Sequence, residues 1–425
     1  MFDSFFDFFK GERFKDTEYT LFNKRVPVAD LRVGQLMGEI NDVVHLYNRE
    51  ALPIPALFTS NVKDGLNYWF RNRSISTSRI RNGEIFGTKL SLQNLGLNLS
   101  DQYWFRPKGC DFTWDDVNLF QNYFDIKYFD GISHIDPSCS SNGEQEKYWE
   151  IRGKDRVLVK VSRRPFYQEA ANEVFSSRLL DKLGVPHISY WREGKNSLCV
   201  TGIDVDTEYV PVSYFLSVVE KNSSVDQFSR FWQCADVLRL PVEHSDIGNM
   251  LVFDFLINNV DRNLGNFGFV RKAETGEFLG LFPYFDHGNS MWFNENVSDI
   301  DACSIDSVGK PFGSDSFKQL NYVSSLSLRF DLFTKDFLVD TVKSVYSGVL
   351  DDKRVSKLSI AVCDRLDMIL DRFQGLLNVN DNSVEVDHSW AEERIRKHTA
   401  VVENRLAGIK NSGNDSNGGV GGGRL

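Results

Sequence analysis

The sequence predicts an α+β protein of two lobes, strand-rich then helical, with an additional α/β module in front. Three observations carry this. From Lys147 the chain alternates in period two through "KYWEI" and "DRVLVKVS", which flank the turn "RGKD". Beyond about Pro211 apolar residues recur at helical spacing, apart from the hairpin-like stretch "NFGFVRKAETGEFLGLFPYFD". The 425 residues exceed what one small core organises, so two or three domains are expected.

In chain order, residues 1–16 predict an amphipathic leader helix, because "MFDSFFDFFKG" puts Phe2, Phe5, Phe6 and Phe9 on one face. Its acidic residues suit a protein surface better than a membrane. Residues 17–128 form the accessory module. There "YTLFNKRVPVADLRV" reads as a hairpin, and "GQLMGEINDVVHLYN" as an amphipathic helix. "ALPIPAL" is broken by two prolines, and helical segments run from Leu66 to about Asn94. Those segments carry Arg71, Arg73, Arg79 and Arg81, read as a solvated or internally paired face. "DDVNLFQNYF" (115–124) reads as the last helix before the polar stretch "DPSCSSNGEQEK".

Residues 129–212 are the strand-rich lobe. After its first two strands comes the amphipathic helix "EAANEVFSSRLLDKLG", closed by Gly184, and then the strands "ISYWREG" and "SLCVTGI". Residues 213–410 form the helical lobe, and 411–425 a Gly/Ser/Asn tail expected to be disordered.

Composition excludes whole classes. A net charge of −10 opposes wholesale binding to nucleic acid or anionic membrane, both of which reward a basic surface. Six scattered cysteines without C-x-x-C point to reduced thiols in a cytoplasmic setting rather than a disulfide frame or zinc site. No apolar run approaches a membrane span in length.

Phosphoryl transfer needs a lysine on the phosphates, a carboxylate at the attacking hydroxyl and two side chains on Mg²⁺. Lys160 in "VLVKVS" points away from Val159 and Val161, and Glu173 of the next helix is placed to reach it, with Glu169 one turn earlier as the other candidate. In "DRNLGN", Asp261 and Asn266 stand five positions apart, the spacing of a kinase base and its metal-binding Asn. An Asn carboxamide gives a hard cation an oxygen without a second buried charge. Asp286 follows in "PYFDHG", where Gly288 is expected to let the chain turn away. Each alone fits a surface lysine, a turn or a cap; the ordered set of four points to kinase chemistry.

The stretch "FLINNVDRNLGNFGF…PYFDHGNS" resembles the HipA-type serine/threonine kinases, a branch of the protein-kinase-like fold. Upstream, Ser140, Gly143, Gln145 and Lys147 match that family's phosphate-loop pattern S-x-x-G-x-Q-x-K. The likeness runs over roughly residues 135–375 and is weaker at "LSDQYWFRP". It implies ATP and Mg²⁺ as cofactors, Asp261 as catalytic base, Asn266 and Asp286 as metal ligands, Lys160 on the phosphates, and a hinge for adenine at Cys199, Val200, Thr201 and Gly202. It also implies Ser140 as an autophosphorylation site, a protein substrate (aminoacyl-tRNA synthetases in that family) and an antitoxin partner. The chain departs from the family in two places. Asp261-Arg262-Asn263 stands where D-R-H is common, and Asp286 has a D-x-G form that HipA itself lacks. Two other readings stay open: a catalytically silent nucleotide-binding module of a regulatory or toxin–antitoxin complex, and a lipid or small-molecule kinase.

Overall fold

The computed structural model describes residues 16–34, 36–76, 87–124, 137, 143–216, 218–219, 224–304, 310–313 and 315–377. The Phe-rich leader Phe2–Phe9, Arg79, Arg81, Ser140 with its neighbouring serines, and the tail 411–425 lie outside them. The described chain mixes three antiparallel sheets with helices.

The first sheet, in order β3-β2-β1-β4, contains β1 (Asp16–Asn23), β2 (Val26–Gly34), β3 (Ile40–Leu46) and β4 (Tyr103–Pro107). The expected hairpin is β1–β2. The helix expected over 34–48 is instead β3, an edge strand whose Ile40 pairs with Val33 and Leu46 with Ala29. A turn closed by Gly34 N donating to Glu39 O, together with β-branched Ile40, Val43 and Val44, favours the ladder over a weakly amphipathic helix. Three helices lie between β3 and β4: α1 (Ile54–Leu57), α2 (Val62–Arg73) and α3 (Gly87–Gln93). Arg73 at the end of α2 is internally paired, forking onto Asp101 at 2.9 and 2.6 Å. The helix expected over 115–124 is only α4 (Trp114–Val117). Asn118 ends it by donating to Trp114 O and accepting from Gln121 N.

The second sheet, β5-β6-β8-β7, is made of β5 (Lys147–Arg152), β6 (Asp155–Val161), β7 (Trp191–Glu193) and β8 (Asn196–Val200). Helix α5 (Glu169–Leu183) packs on it and stops at left-handed Gly184. The third sheet, β11-β10-β9, joins β9 (Thr207–Pro211) to the hairpin β10 (Gly268–Lys272) and β11 (Phe278–Leu281). Strand β9 was not foreseen, because "TEYVP" is too short for its alternation to stand out beside Pro211. The helices that follow β9 are α6 (Val212–Phe215), α7 (Gln227–Leu238), α8 (His244–Leu256), α9 (Ser316–Gln319), α10 (Lys335–Tyr346) and α11 (Asp352–Leu377).

One core joins the first sheet to α7, α8 and β10, through residues such as Leu31, Trp69, Phe231 and Phe269. A second joins α5, α8, α10 and α11. Helix α8 contributes to both, so the loop that follows it starts from a fixed platform. The accessory module is anchored as well. Lys24 is ion-paired to Asp206 and Glu274, and Gln102 donates to the carbonyls of Asp204 and Thr207. Among the described residues no helix is long and apolar enough to cross a membrane.

Candidate active site

Strand β6 alternates as the sequence requires. Val157 and Val159 fall into a small apolar cluster on one face, while Leu158 and Lys160 face a cavity on the other. Lys160 Nζ donates to Glu173 Oε1 at 2.7 Å, to Asp286 Oδ1 at 2.6 Å and to the Tyr190 hydroxyl at 3.2 Å. Glu173 is the partner rather than Glu169, whose carboxylate is taken by the backbone and guanidinium of Arg163. The second Glu173 oxygen accepts from His287 N at 2.8 Å, so one buried carboxylate fixes both the lysine and the segment after Asp286.

The electrostatics follow from two carboxylates sharing one ammonium. Burial would push Lys160 down, but Asp286 and Glu173 outweigh it and hold the ammonium well above its ordinary value. Burial raises the Glu173 carboxyl against the pull of Lys160. Burial opposes ionisation of Asp286 too, yet Lys160 prevails and lowers that carboxyl to about 2. Asp286 is therefore the firmly ionised member, and it keeps 31% of its side chain exposed, on the cavity side.

Asp286 has left-handed backbone, φ +61°, and Gly288 does not. The expected turn at Gly288 is thus displaced to Asp286, a residue type that tolerates this region. Gly288 serves proximity instead: a Cβ there would lie 3.3 Å from Glu169 Cβ and 3.5 Å from Glu173 Oε1.

The loop after α8 is held by Asp254, the single charge in the apolar run "MLVFDFLI". Fully buried Arg262 forks onto Asp254 at 2.8 and 2.9 Å and donates to the carbonyls of Asn266 and Phe285 at 2.7 and 2.9 Å. Helix, loop and the Asp286 segment are thus tied by one planar cation. On this frame Asp261 Oδ1 accepts from Lys310 Nζ at 2.7 Å and Asn263 Nδ2 at 3.1 Å, and Oδ2 from Asn289 Nδ2 at 2.9 Å. Asn266 donates its amide to Asp261 O at 2.8 Å, which fixes the carboxamide and leaves its oxygen as the ligand end.

These groups surround a cavity of about 540 Å³. Gly143, Gln145, Lys147, Lys160, Cys199, Val200, Thr201, Asp261, Asn266 and Asp286 all line it; Glu173 stands behind Lys160. Gln145 Nε2 donates to Val161 O at 3.1 Å, so the described part of the phosphate-loop stretch is laid across β6. Cys199 is buried, and burial pushes its thiol up to about 12, so it acts as an apolar wall. Sequence reasoning missed five contributors. Asp254 was visible as a lone charge in an apolar run. Asn289 and Lys310 carried no signal, because only the fold brings them to Asp261. The other two, Leu99 and Ser100, come from the accessory module and line the same cavity. Ser100 O accepts from Tyr209 N at 2.8 Å.

Among the described residues no three His, Cys, Asp or Glu side chains form a metal cluster. A Mg²⁺ ion that takes one carboxylate and one carboxamide and completes its shell with phosphate and water fits Asp286 and Asn266.

No protein-family model matches the sequence, and no curated protein matches it. Among solved structures, the chain is similar to the Helicobacter pylori proinflammatory kinase CtkA, with 15% identity and a TM-score of 0.39, covering 54% of this chain and 94% of that one. It is also similar to HipA of the Shewanella oneidensis MR-1 toxin–antitoxin system, solved in complex with HipB and its operator DNA. There the identity is 14% and the TM-score 0.37, covering 86% of this chain and 100% of that one.

Proposed function

We propose that the chain is an ATP- and Mg²⁺-dependent protein serine/threonine kinase of HipA type, its strand-rich and helical lobes meeting at the 540 Å³ cavity. The observation that carries this is the convergence of Lys160, Glu173 and Asp286 opposite Asp261 and Asn266 on that cavity. Five residues spread over more than a hundred positions meet with kinase roles available to each.

In this reading Lys160, kept charged and aimed by Glu173, binds the α- and β-phosphates, and the Cys199–Gly202 segment receives adenine. Asp286 and Asn266 hold Mg²⁺, which neutralises charge on the transferring phosphoryl group. Asp261 orients the acceptor hydroxyl and takes its proton, its carboxylate held in place by Asn263, Asn289 and Lys310. The sequence resemblance adds autophosphorylation at Ser140 and an antitoxin-type protein partner to the proposal.

Intact-mass spectrometry after incubation with Mg·ATP tests the reading. The wild-type chain gains phosphate, and Asp261→Asn loses about 10²-fold or more in rate while still binding ATP. ATP binding without any transfer by the wild type would instead identify a silent nucleotide-binding module.

A further inference from the structure

A second cavity, also of about 540 Å³, adjoins the first across the Asp261 loop. Ser100, Tyr209, Asn263, Gly265 and Lys310 line both. Its outer wall comes from the accessory module, through Asn72, Arg73, Asn98 and Asp101, and its inner wall from the segments around Ser213, Gln227 and Pro311.

The two oxygens of Asp261 divide between the cavities. Oδ1 is held by Lys310 and Asn263, which line both, whereas Oδ2 is held by Asn289, which lines the first alone. Phosphoryl transfer places attacking and leaving oxygens roughly in line, so an acceptor must approach Asp261 from the side away from the nucleotide. The second cavity occupies that side.

We propose that this cavity is the acceptor site, and that it takes an uncharged Ser- or Thr-bearing polypeptide segment; the proposal rests on the kinase reading above. The chemistry of the wall selects the class. Both cations in it are already matched: Arg73 by Asp101 at 2.6 Å, and Lys310 by Asp261 at 2.7 Å. A phosphorylated inositol headgroup needs cations in excess of carboxylates, and this wall does not supply them. Asn72, Asn98, Gln227 and Asn263 instead offer carboxamides, which match peptide amides, and Tyr209, Tyr214 and Pro311 supply apolar surface beside them. The accessory module thereby becomes part of the substrate site.

Asn72 is exposed on α2, so Asn72→Trp fills the cavity mouth without entering the core. Ser213→Phe fills it from the opposite wall. The acceptor probe is a degenerate peptide mixture with a fixed Ser or Thr and neutral flanks, run beside phosphoinositide vesicles, with Mg·ATP binding followed by calorimetry. Both variants should raise the peptide KM tenfold or more while Mg·ATP affinity stays within twofold. Peptide transfer unchanged in both variants, or vesicle phosphorylation in preference to peptide, overturns the acceptor site and leaves the kinase reading standing. No Mg·ATP-dependent transfer to any acceptor by the wild type overturns both.

Discussion

Replacing Lys160 with Met removes the one ammonium that two carboxylates share. Glu173 Oε1 and Asp286 Oδ1 both lie within 2.7 Å of Lys160 Nζ, which places them no more than about 5 Å from each other. At an effective dielectric of about 20, two like charges at that distance repel by about 3 kcal/mol. Stripping one partner from a buried ion pair costs about 3–5 kcal/mol, in agreement with that figure. Lys160→Met should therefore lower unfolding stability by about 3 kcal/mol, with Glu173 taking up a proton to relieve part of the repulsion. Glu173→Gln in the same chain removes one charge and keeps an acceptor for His287 N, so the double variant should regain about 2 kcal/mol over Lys160→Met. Activity should not follow stability. Single and double variants should be equally inactive within about twofold, because the two groups act as one unit. Urea unfolding followed by tryptophan fluorescence gives the stabilities, and initial rates of Mg·ATP turnover give the activities. Additive stabilities with multiplicative activity losses would refute the coupling.

Asp286→Asn should lower Mg·ATP turnover by about 10²-fold or more with little loss of fold, since Asn tolerates the left-handed backbone at φ +61°; a near wild-type rate in the purified variant would remove Asp286 from the metal site. Burial holds the His187 imidazole below its ordinary value, against the opposing pulls of the Val185 carbonyl and Asp181. The unfolded chain therefore binds the extra proton first, and stability falls as pH drops below about 6.5, by at most about 1.4 kcal/mol per unit from this residue. His187→Asn should flatten the slope between pH 7 and pH 5 in urea titrations, and an unchanged slope would show that His187 titrates normally in the fold.

What the sequence determined by itself was local. Period-two alternation fixed β5 and β6, and with them the side of the sheet on which Lys160 stands. Helical spacing placed Glu173, and the five-residue interval from Asp261 to Asn266 set base and ligand on one short loop. These are properties of consecutive residues, so they need no knowledge of the rest of the chain. Even so, local reading misplaced β3, because pairing with β2 decided between strand and helix over 34–48. It missed β9 too, whose partner β10 lies about sixty residues further on. The choice of Glu173 over Glu169 also came from the tertiary structure, since Arg163 claims the nearer carboxylate. Lys310, Asn289 and Ser100 reach the site from three separate segments, and nothing in their neighbours marks them. Roles set by spacing along one element are legible in a sequence. Roles set by which distant element supplies the missing partner emerge only when burial forces charged and polar groups to find one another.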